Sequence, residues 1–378
     1  MRVLVLGCGE MGEMAVEDLY KHGDFDEIVV GTRSIEKVNR LRPKLKGKKT
    51  RISPRKIDIT HSDKLDSLMK DCDVAINCTG PNYKHEVHVA KAAIKAGVNL
   101  VDINDEYEST FKMLELDSQA KKAGIILILG LGASPGINNI LAKAAADQLD
   151  EVEEIHTAWV MSGADPGGLA LSYHLLYSLS GKALTYKNGK FVEVQSFVDG
   201  RESLEFPKPV GVKDVYHVGH PEPITLSRSF KKARIINDKA TFIPPFVNDL
   251  IRSLGKMVRE ADGLVRVGKA DIHAMDFAAS YLHKKCKSLA GVPKEGALRV
   301  AVIGKRGKKA KKVVYSTSGR LSEGTGISAS IGAQMICDGK IKKKGVLPPE
   351  ECVDWREFLK TILSRRVGRL SIKEEDIG

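Results

Sequence analysis

The sequence predicts an α/β protein with a doubly wound parallel sheet and an inserted α+β domain that carries a mixed sheet. A short apolar strand at residues 3–6 runs directly into the pattern G-x-G-x-x-G, and a helical pattern follows it. Strand-like and helix-like segments then alternate over roughly the first third of the chain, as in parallel sheets with crossover helices. Longer strands separated by polar turns come later and indicate the mixed sheet.

The glycine pattern at residues 7–12 predicts a dinucleotide site of the Rossmann type. Gly7 permits the tight turn, Gly9 lets the backbone approach a pyrophosphate, and Gly12 allows close packing of helix on strand. Glu10 and Met11 lie in the first turn of that helix, whose free amide groups attract an anion. We therefore expect all five residues to contact the cofactor.

Further cofactor residues are expected directly after other strands, because ligands of doubly wound sheets bind outside the carboxyl ends of the strands. The strand-like runs are residues 2–6, 27–31, 51–57, 74–77, 98–101 and 125–129. The residues expected at the cofactor after the second, third and fourth of these strands are Thr32, Arg33, Ser34, Asp58, Cys78, Thr79 and Gly80.

The end of the second strand predicts which dinucleotide binds. NAD-binding sheets carry an acid there that accepts hydrogen bonds from the ribose, whereas this strand ends without one. Arg33 offers a donor fork suited to phosphate, Thr32 and Ser34 offer hydroxyl groups, and Lys37 lies one turn further on. Ser34 is equally the N-cap of the next helix, with Glu36 in its first turn. We expect NADP(H) to be preferred, with NAD(H) as second choice.

Candidate catalytic residues lie near the same edge of the sheet. Asp102 follows the fifth strand and is placed to accept a proton or hold a substrate ammonium group. Asp105 is a candidate substrate contact, although it reads equally as the N-cap of the next helix, with Glu106 in the first turn. Tyr83 and His85, at a predicted helix start after the fourth strand, are further candidates for the acid–base group.

The predicted domains are a dinucleotide-binding domain at residues 1–135, a substrate and dimerisation domain at 136–323, and a carboxyl-terminal segment at 324–378. The boundary follows the small-residue loop at 130–136, after which a helix at 137–149 leads into longer strands. These strands are expected at 155–161, 298–303 and 312–316, the last two flanking a basic hairpin turn. Disorder is expected only at 374–378.

Two residues of the second domain are candidate substrate contacts. Arg228 could clamp an α-carboxylate through its planar fork, with a plain surface arginine as the alternative. Tyr173 shares one helical face with His174 and Tyr177, a pattern that core packing explains at least as well.

Composition excludes several classes of protein. The net charge of +12 lies largely in clusters at 46–49, 305–312 and 342–344, which we interpret as solvated loops because aromatic residues are not interleaved. The six cysteines are scattered, so we expect no metal site. No run of 18 or more apolar residues is present, and the apolar start is interpreted as a strand ended by glycines and not as a signal peptide. We therefore expect a cytoplasmic protein with no membrane or nucleic-acid partner.

Four segments together resemble the saccharopine dehydrogenase-like family, which includes saccharopine reductase, L-lysine 6-dehydrogenase and carboxynorspermidine dehydrogenase. They are the glycine pattern at 7–12 and the segments at 129–141, 225–230 and 345–350. The resemblance implies a Rossmann domain completed by the carboxyl-terminal segment, with an inserted domain that binds substrate and pairs in a homodimer or larger homo-oligomer. Ser134 departs from the family, because saccharopine reductases tend to carry an acid there.

The resemblance also implies an activity. The expected protein is an NAD(P)-dependent oxidoreductase, more narrowly an NADP-dependent dehydrogenase, acting on the C–N bond of an amino acid or a secondary-amine adduct. Oxidative deamination of lysine and reductive condensation with a semialdehyde both remain open. The alternative is a non-catalytic dinucleotide-sensing or nucleic-acid-associated protein on the same fold, which the basic clusters and Ser134 would suit.

Overall fold

The computed structural model describes residues 1–165, 167–261 and 263–377, and two compact units are distinguished within it. The first unit comprises Met1–Ile140 and Ser322–Val367. The second comprises Leu141–Leu321 and the residues from Gly368 on. None of the helices in the described part of the chain has the length and apolar character needed to cross a bilayer.

The described residues form eighteen strands and fourteen α-helices. The strands are β1 (Arg2–Leu6), β2 (Glu27–Thr32), β3 (Arg51–Lys56), β4 (Val74–Asn77), β5 (Asn99–Asp102), β6 (Ile126–Ile128), β7 (Glu151–Ser162), β8 (Lys182–Lys187), β9 (Lys190–Gln195), β10 (Glu202–Phe206), β11 (Gly211–His217), β12 (Ile235–Ile243), β13 (Leu264–Val267), β14 (Ala270–His273), β15 (Gly296–Arg306), β16 (Lys309–Gly319), β17 (Gly345–Leu347) and β18 (Arg369–Asp376). The helices are α1 (Glu10–His22), α2 (Ile35–Leu41), α3 (Ser62–Met69), α4 (Asn82–Ala96), α5 (Tyr107–Leu114), α6 (Asp117–Ala123), α7 (Ile137–Ala146), α8 (Leu169–Ser178), α9 (Glu222–Ser229), α10 (Phe246–Glu260), α11 (Ala274–Lys287), α12 (Leu321–Cys337), α13 (Pro349–Cys352) and α14 (Trp355–Ser364).

The first unit is a parallel sheet of seven strands in the order β17-β6-β5-β4-β1-β2-β3. Its strands β1, β2 and β4 are almost wholly buried and apolar, as expected for parallel strands covered on both faces. The six strands predicted from the sequence are all present, within two residues at their ends. The seventh, β17, comes from the carboxyl-terminal segment, as the family resemblance implies.

A buried aspartate holds the returning segment of the chain to the first helix. Asp18 on α1 accepts hydrogen bonds from Ser330 (2.7 Å) and Gln334 (3.1 Å), both on α12. Its other oxygen accepts a bond of 3.0 Å from the guanidinium group of Arg365, just beyond α14. A carboxylate that is 4% exposed needs such donors, because water cannot solvate it. The carboxyl-terminal helices are therefore tied to this unit by polar contacts as well as by β17.

The second unit is a mixed sheet of nine strands. The order is β10-β11-β12-β7-β15-β16-β18, with β8 beside β12 and β9 beside β8. Strands β12 and β7 run parallel, and the other pairs in this sheet are antiparallel. Apolar side chains from α8, α10 and α11 pack with those of β7 and β12 in one core, which confirms the predicted α+β character.

The basic hairpin between β15 and β16 is present, but its charges are not simply solvated. Arg306 contacts Glu374 at 3.0 Å, and Lys311 pairs with both Glu374 and Asp376. These acids belong to β18, which pairs with β16 along eight residues. The prediction of disorder at 374–378 is therefore wrong for the described residues 374–376, because this acidic strand lies against a basic partner. Gly378 lies outside the described residues.

Candidate functional site

The loop after β1 has the shape that the glycine pattern predicts. Gly7 has φ of +90°, and a Cβ atom there would lie 2.5 Å from the carbonyl oxygen of Cys78. A Cβ atom on Gly12 would overlap the carbonyl oxygen of Gly7. At Gly9, by contrast, a Cβ atom would meet nothing within 4 Å, so this side of the loop is open. The residues therefore form a backbone cradle that fits a pyrophosphate.

The first turn of α1 lies beside this cradle. Gly9 occupies the N-cap position without a side-chain cap, and α1 begins at Glu10. The amides of Glu10, Met11 and Gly12 belong to the first turn, where the helix itself offers no acceptor. They would therefore face an anion bound in front of Gly9, and these residues would hold the phosphates of the cofactor.

The residue directly after β2, Arg33, presents its charged group toward solvent. Thr32 accepts a hydrogen bond from the amide of Ser34 at 3.2 Å, and the Ser34 hydroxyl donates to Glu36 at 2.8 Å. Ser34 does occupy the N-cap position of α2, but its side chain makes no cap bond. Arg33 is exposed and forms no ion pair among the described residues. Its guanidinium group is available to an incoming phosphate.

Asp58 follows β3 and is held by its own turn. One carboxylate oxygen accepts hydrogen bonds from the amide (3.0 Å) and the hydroxyl (2.8 Å) of Thr60. These bonds, with smaller contributions from the charges of Arg33 and His61, lower the pKa of Asp58. The group is therefore ionised at neutral pH and half-buried near the crevice.

The loop after β4 is organised by a residue that the sequence analysis did not select. The side-chain oxygen of Asn77 accepts bonds from the amide (3.1 Å) and the hydroxyl (2.6 Å) of Thr79. Burial raises the pKa of the neighbouring Cys78 thiol far above its usual value, so this group stays protonated. Cys78 and Gly80 can therefore serve the cofactor through their backbone, and Cys78 is not a reactive thiolate.

Asp102, at the end of β5, is buried at 1% exposure and fully engaged. One of its oxygens accepts a hydrogen bond from the Asn77 amide group, and the other accepts one from the backbone amide of Asn104, both at 2.7 Å. Burial raises the pKa of Asp102 to about 7 despite these bonds. Asp102 thus joins the loops after β4 and β5, and its protonation changes near neutral pH.

The loop after Asp102 differs from its predicted capping. The N-cap of α5 is Glu106, so the interpretation of Asp105 as that N-cap is wrong. Asn104 performs the capping role instead, because its side-chain oxygen accepts a bond of 2.9 Å from the amide of Glu106. The Asn104 amide group also contacts the Thr110 hydroxyl at 3.3 Å. Asp105 itself is half-buried.

Glu86 is another buried acid of the first unit, and the sequence analysis did not select it. It lies on α4, is 1% exposed, and its carboxylate oxygens have no hydrogen-bond partner within the described residues. Burial raises its pKa well above the usual value, the charge of Asp102 adds to this, and the nearby Ser109 hydroxyl opposes it. A signal was available, because Val89, Ala90 and Ala93 place Glu86 on the apolar face of its helix.

The other two candidate acid–base residues occupy the first turn of α4. Tyr83 is half-buried, and the ammonium group of Lys84 lies 5.6 Å from the centre of its ring. Burial lowers the pKa of His85, and the charge of Lys84 lowers it further. His85 is therefore neutral at pH 7 and able to accept a proton.

The small-residue loop before α7 is fixed by the segment that follows β17. The side chain of Asn139 accepts a bond of 3.0 Å from the amide of Gly136 and donates one of 2.9 Å to Glu350. The amide of Leu131 donates to the carbonyl group of Asp102 at 2.8 Å. Ser134 contacts Asn138 at 2.9 Å. A carboxylate thus contacts this loop from far along the chain, because Glu350 lies 211 residues after Asn139.

In the second unit, the candidate substrate residues have different surroundings. Arg228 is exposed in the last turn of α9, with no ion pair among the residues described. The Tyr173 hydroxyl donates a bond of 2.7 Å to Asp276 on α11. On the same helix His174 is buried, whereas Tyr177 is exposed. The three residues predicted to share one helical face therefore differ in their burial.

Comparisons with known proteins agree with this architecture. The family model described as the saccharopine dehydrogenase NADP binding domain matches residues 3–128, and the saccharopine dehydrogenase C-terminal domain matches residues 132–369. Carboxyaminopropylagmatine dehydrogenase of Synechocystis sp. is 21% identical over 93% of this chain and 92% of its own. Carboxynorspermidine synthase of Vibrio cholerae is 26% identical over 62% of this chain and 61% of its own.

A solved structure shares the fold. Apo saccharopine dehydrogenase (L-Glu forming) from Saccharomyces cerevisiae superimposes with a TM-score of 0.68 at 15% identity, and the match covers 100% of both chains. With the family models matching both the cradle-bearing sheet and the mixed sheet, the chain belongs to the saccharopine dehydrogenase family of NAD(P)-dependent oxidoreductases, which act on the C–N bonds of amino acids and amine adducts.

Proposed function

We propose that this protein is an NADP-dependent dehydrogenase whose substrate is a secondary amine that carries a carboxylate, or the imine from which such an amine is formed. The observation that carries the proposal is the crevice of the first unit. There, a backbone cradle for a pyrophosphate and an exposed arginine at the end of β2 lie on the same edge of the sheet as two buried acids. The matching family models and the relatives support the choice of C–N chemistry.

The substrate class rests on the relatives that match over the greater part of their own length. Both are named for adducts of polyamine type that carry a carboxyl group. Such a substrate offers an anion and at least one ammonium group, so its recognition needs a cation for the carboxylate. Arg228 is our candidate for that contact, because its guanidinium group is exposed and not paired within the described residues.

The chemistry moves one hydride and one proton. A nicotinamide held at the cradle of Gly7, Gly9 and Gly12 would supply hydride transfer to or from the carbon next to nitrogen. The protein must bind the neutral amine, exclude water from the reacting bond, and take up the proton that the amine loses. Glu86, whose pKa is raised by burial, is suited to hold a proton at neutral pH beside the crevice. Asp102 acts here as a positioning residue, since both its oxygens hold neighbouring loops.

The activity is tested by incubating the purified protein with NADP(H) or NAD(H) and a panel of amines while following the nicotinamide absorbance. The panel contains carboxynorspermidine, saccharopine, ornithine and lysine, together with the amine and semialdehyde pairs for the reductive direction. We expect turnover with a carboxylated secondary amine and little with lysine. Turnover with lysine alone would replace this substrate class by oxidative deamination, and no turnover with any member would contradict the proposal.

The nucleic-acid alternative has little to favour it in the second unit. The basic hairpin of β15 and β16, which motivated that alternative, pairs with Glu151 and Glu153 as well as with acids of β18. Charges neutralised in this way contribute little to phosphate binding. The oxidoreductase proposal does not need these charges.

We further propose that the protein forms a homodimer or larger homo-oligomer through the second unit. Strands β13 and β14 form a separate two-stranded sheet in which Leu264 is 57% and Val267 is 56% exposed. Such a hairpin is marginally stable in water alone, so a second copy covering it would stabilise it. Light scattering at micromolar concentration should give at least twice the chain mass of 41.3 kDa, and a single species at that mass would refute the proposal.

We expect NADP(H) to bind at least about tenfold more tightly than NAD(H), a difference of about 1.4 kcal/mol. The physical reason is the exposed guanidinium group of Arg33, which suits a 2′-phosphate. Arg33→Ala should remove most of this preference, whereas Arg40→Ala, an exposed arginine on α2, should not. Calorimetry at fixed salt measures both, and equal or tighter binding of NAD(H) by the unmodified protein would overturn the expectation.

Arg228→Ala should weaken the substrate and leave the cofactor nearly unaffected. A lost charged hydrogen bond to a carboxylate costs about 1.5–3 kcal/mol, so kcat/KM should fall about tenfold or more. The Kd of NADPH should stay within about twofold. Arg252→Ala is the control, because Arg252 is a half-buried arginine on α10 of the second unit that pairs with Asp249 at 2.8 Å. Unchanged KM and kcat in the Arg228 variant would remove this residue from the site.

Asp102 should contribute a distinctive pH dependence to stability. Its pKa is raised from 3.8 to about 7 in the folded protein, so between these values the folded state binds more protons than the unfolded state. Asp102 therefore makes the free energy of unfolding fall as pH rises from about 4 to 7, and adds no slope above that. In Asp102→Asn, the free energy of unfolding measured with denaturant should fall less steeply between about pH 4 and 7 than in the unmodified protein.

Asp58 is the control for this measurement, because its pKa is shifted in the opposite direction. The pKa of Asp58 is lowered, so its contribution is present above the unfolded pKa and is lost as the pH falls through the folded value. Asp58→Asn should therefore reduce the loss of stability toward acid and leave the slope between pH 5 and 7 unchanged. A slope in that range that is identical in Asp102→Asn and the unmodified protein would contradict the role given to Asp102.

A further inference from the structure

Three ionisable side chains meet inside the second unit, apart from every residue used above. Asp238 lies in the middle of β12, His220 lies in the loop between β11 and α9, and Glu222 is the first residue of α9. Their exposed fractions are 1%, 4% and 0%. Water therefore has no access to these groups, and any stabilisation of their charges must come from inside the protein.

The spacing of the three groups is that of ligands around one ion. The Nδ1 atom of His220 lies 3.3 Å from a carboxylate oxygen of Glu222 and 3.8 Å from one of Asp238. All three ligand atoms lie within 4.8 Å of one another. Metal bonds of about 2.0–2.2 Å would place neighbouring ligand atoms about 3.0–3.5 Å apart, so only small adjustments are needed.

The Nδ1 atom of His220 lies against these carboxylates but has no hydrogen bond within the described residues. It is buried, and it makes no hydrogen bond of acceptable geometry within the described residues. The ring is held from two sides, because its centre lies 5.0 Å from that of Trp159 and 5.6 Å from that of His174. A buried nitrogen fixed in this way is costly unless something binds it.

Within the cluster, Asp238 is contacted by neutral donors and not by a lysine or arginine of the described residues. Asp238 forms no ion pair with a lysine or arginine in the described part of the chain. Its oxygens instead accept bonds from Thr157 (2.6 Å) and the Trp159 indole (2.9 Å), which orient the carboxylate without neutralising it.

We propose that His220, Glu222 and Asp238 bind one divalent transition-metal ion, with Zn²⁺ as the expected occupant. One imidazole and two carboxylates form a mixed nitrogen and oxygen set that suits Zn²⁺ better than Mg²⁺ or Ca²⁺. Thr157 and Trp159 act as outer partners that orient Asp238. The ion would join β12, α9 and the loop before α9, and it would stabilise the unit whether or not the proposed activity is correct.

The sequence alone does not reveal this cluster. Two of its members are two residues apart and the third is sixteen residues further on, across a helix and into a strand. Typical metal-ligand spacing is therefore lacking, which is why the sequence analysis expects no metal. The cluster forms because α9, which begins at Glu222, packs against β12, which carries Asp238.

The test uses the full chain without an affinity tag, after removal of metals with a chelator. Zn²⁺ binding is measured by calorimetry, and Co²⁺ binding by its visible absorption and by quenching of Trp159 fluorescence. The background variant Trp355→Phe leaves Trp159 as the single tryptophan, since the chain has only two. We expect one saturable site, quenching by Co²⁺, recovery of fluorescence when Zn²⁺ displaces it, and a raised Tm with Zn²⁺.

Variants assign the site. Asp238→Asn, Glu222→Gln and His220→Ala should each abolish saturable binding, and Thr157→Val should weaken it about tenfold. His156→Ala is the matched control, because His156 pairs with Glu154 at 2.9 Å in the same sheet and should leave binding unchanged. Absence of a saturable site in the unmodified protein would overturn the proposal, even if the variants fail to fold. Binding that survives the changes at Asp238 and Glu222 would also overturn it.

Discussion

The crevice of the first unit depends on one buried carboxylate, that of Asp102. Its two oxygens hold the Asn77 side chain and the amide of Asn104, while its own carbonyl group accepts a bond from Leu131. Three loops at the carboxyl ends of neighbouring strands therefore share one anchor. A buried carboxylate is costly without donors, so the loops and the acid stabilise each other. Asp102 also fixes the position of Thr79 indirectly, because the Thr79 hydroxyl donates a hydrogen bond to Asn77.

A second constraint is the return of the chain to its first unit. Strand β17 pairs with β6, Asp18 holds Arg365 across 347 residues of sequence, and Glu350 fixes Asn139 across 211. The loop before α7 is thus completed by a segment that the chain adds near its end. The loop already rests on the buried carboxylate of Glu350, which is 4% exposed.

The sequence predicted the elements well and the contacts between them poorly. Apolar runs and glycine positions are local, so β1 to β6, the cradle at Gly7 and the hairpin of β15 and β16 followed from them. The capping of α5 and the presence of an ordered strand at β18 could not be predicted in this way. Asn104 bonds to the amide of Glu106, and β18 pairs with β16, and the local sequence pattern does not show either contact. The residue Asp102 was selected for its place after a strand, but its hydrogen-bond partners were visible only in the structure.

Buried acids mark where such predictions stop. Glu86 and Asp238 both interrupt apolar patterns, on a helix face and in a strand, and either could have been noticed as a polar residue in a core position. The sequence pattern does not show which donors will bind a buried carboxylate and so offset the cost of burying it. Asp102 is positioned by hydrogen bonds from amide groups of adjacent loops. Asp238 is oriented by hydrogen bonds from Thr157 and Trp159, and the Nδ1 atom of the neighbouring His220 makes no hydrogen bond within the described residues. Amide donors alone surround the first acid, whereas the ion proposed for the second cluster would add a positive charge beside Asp238.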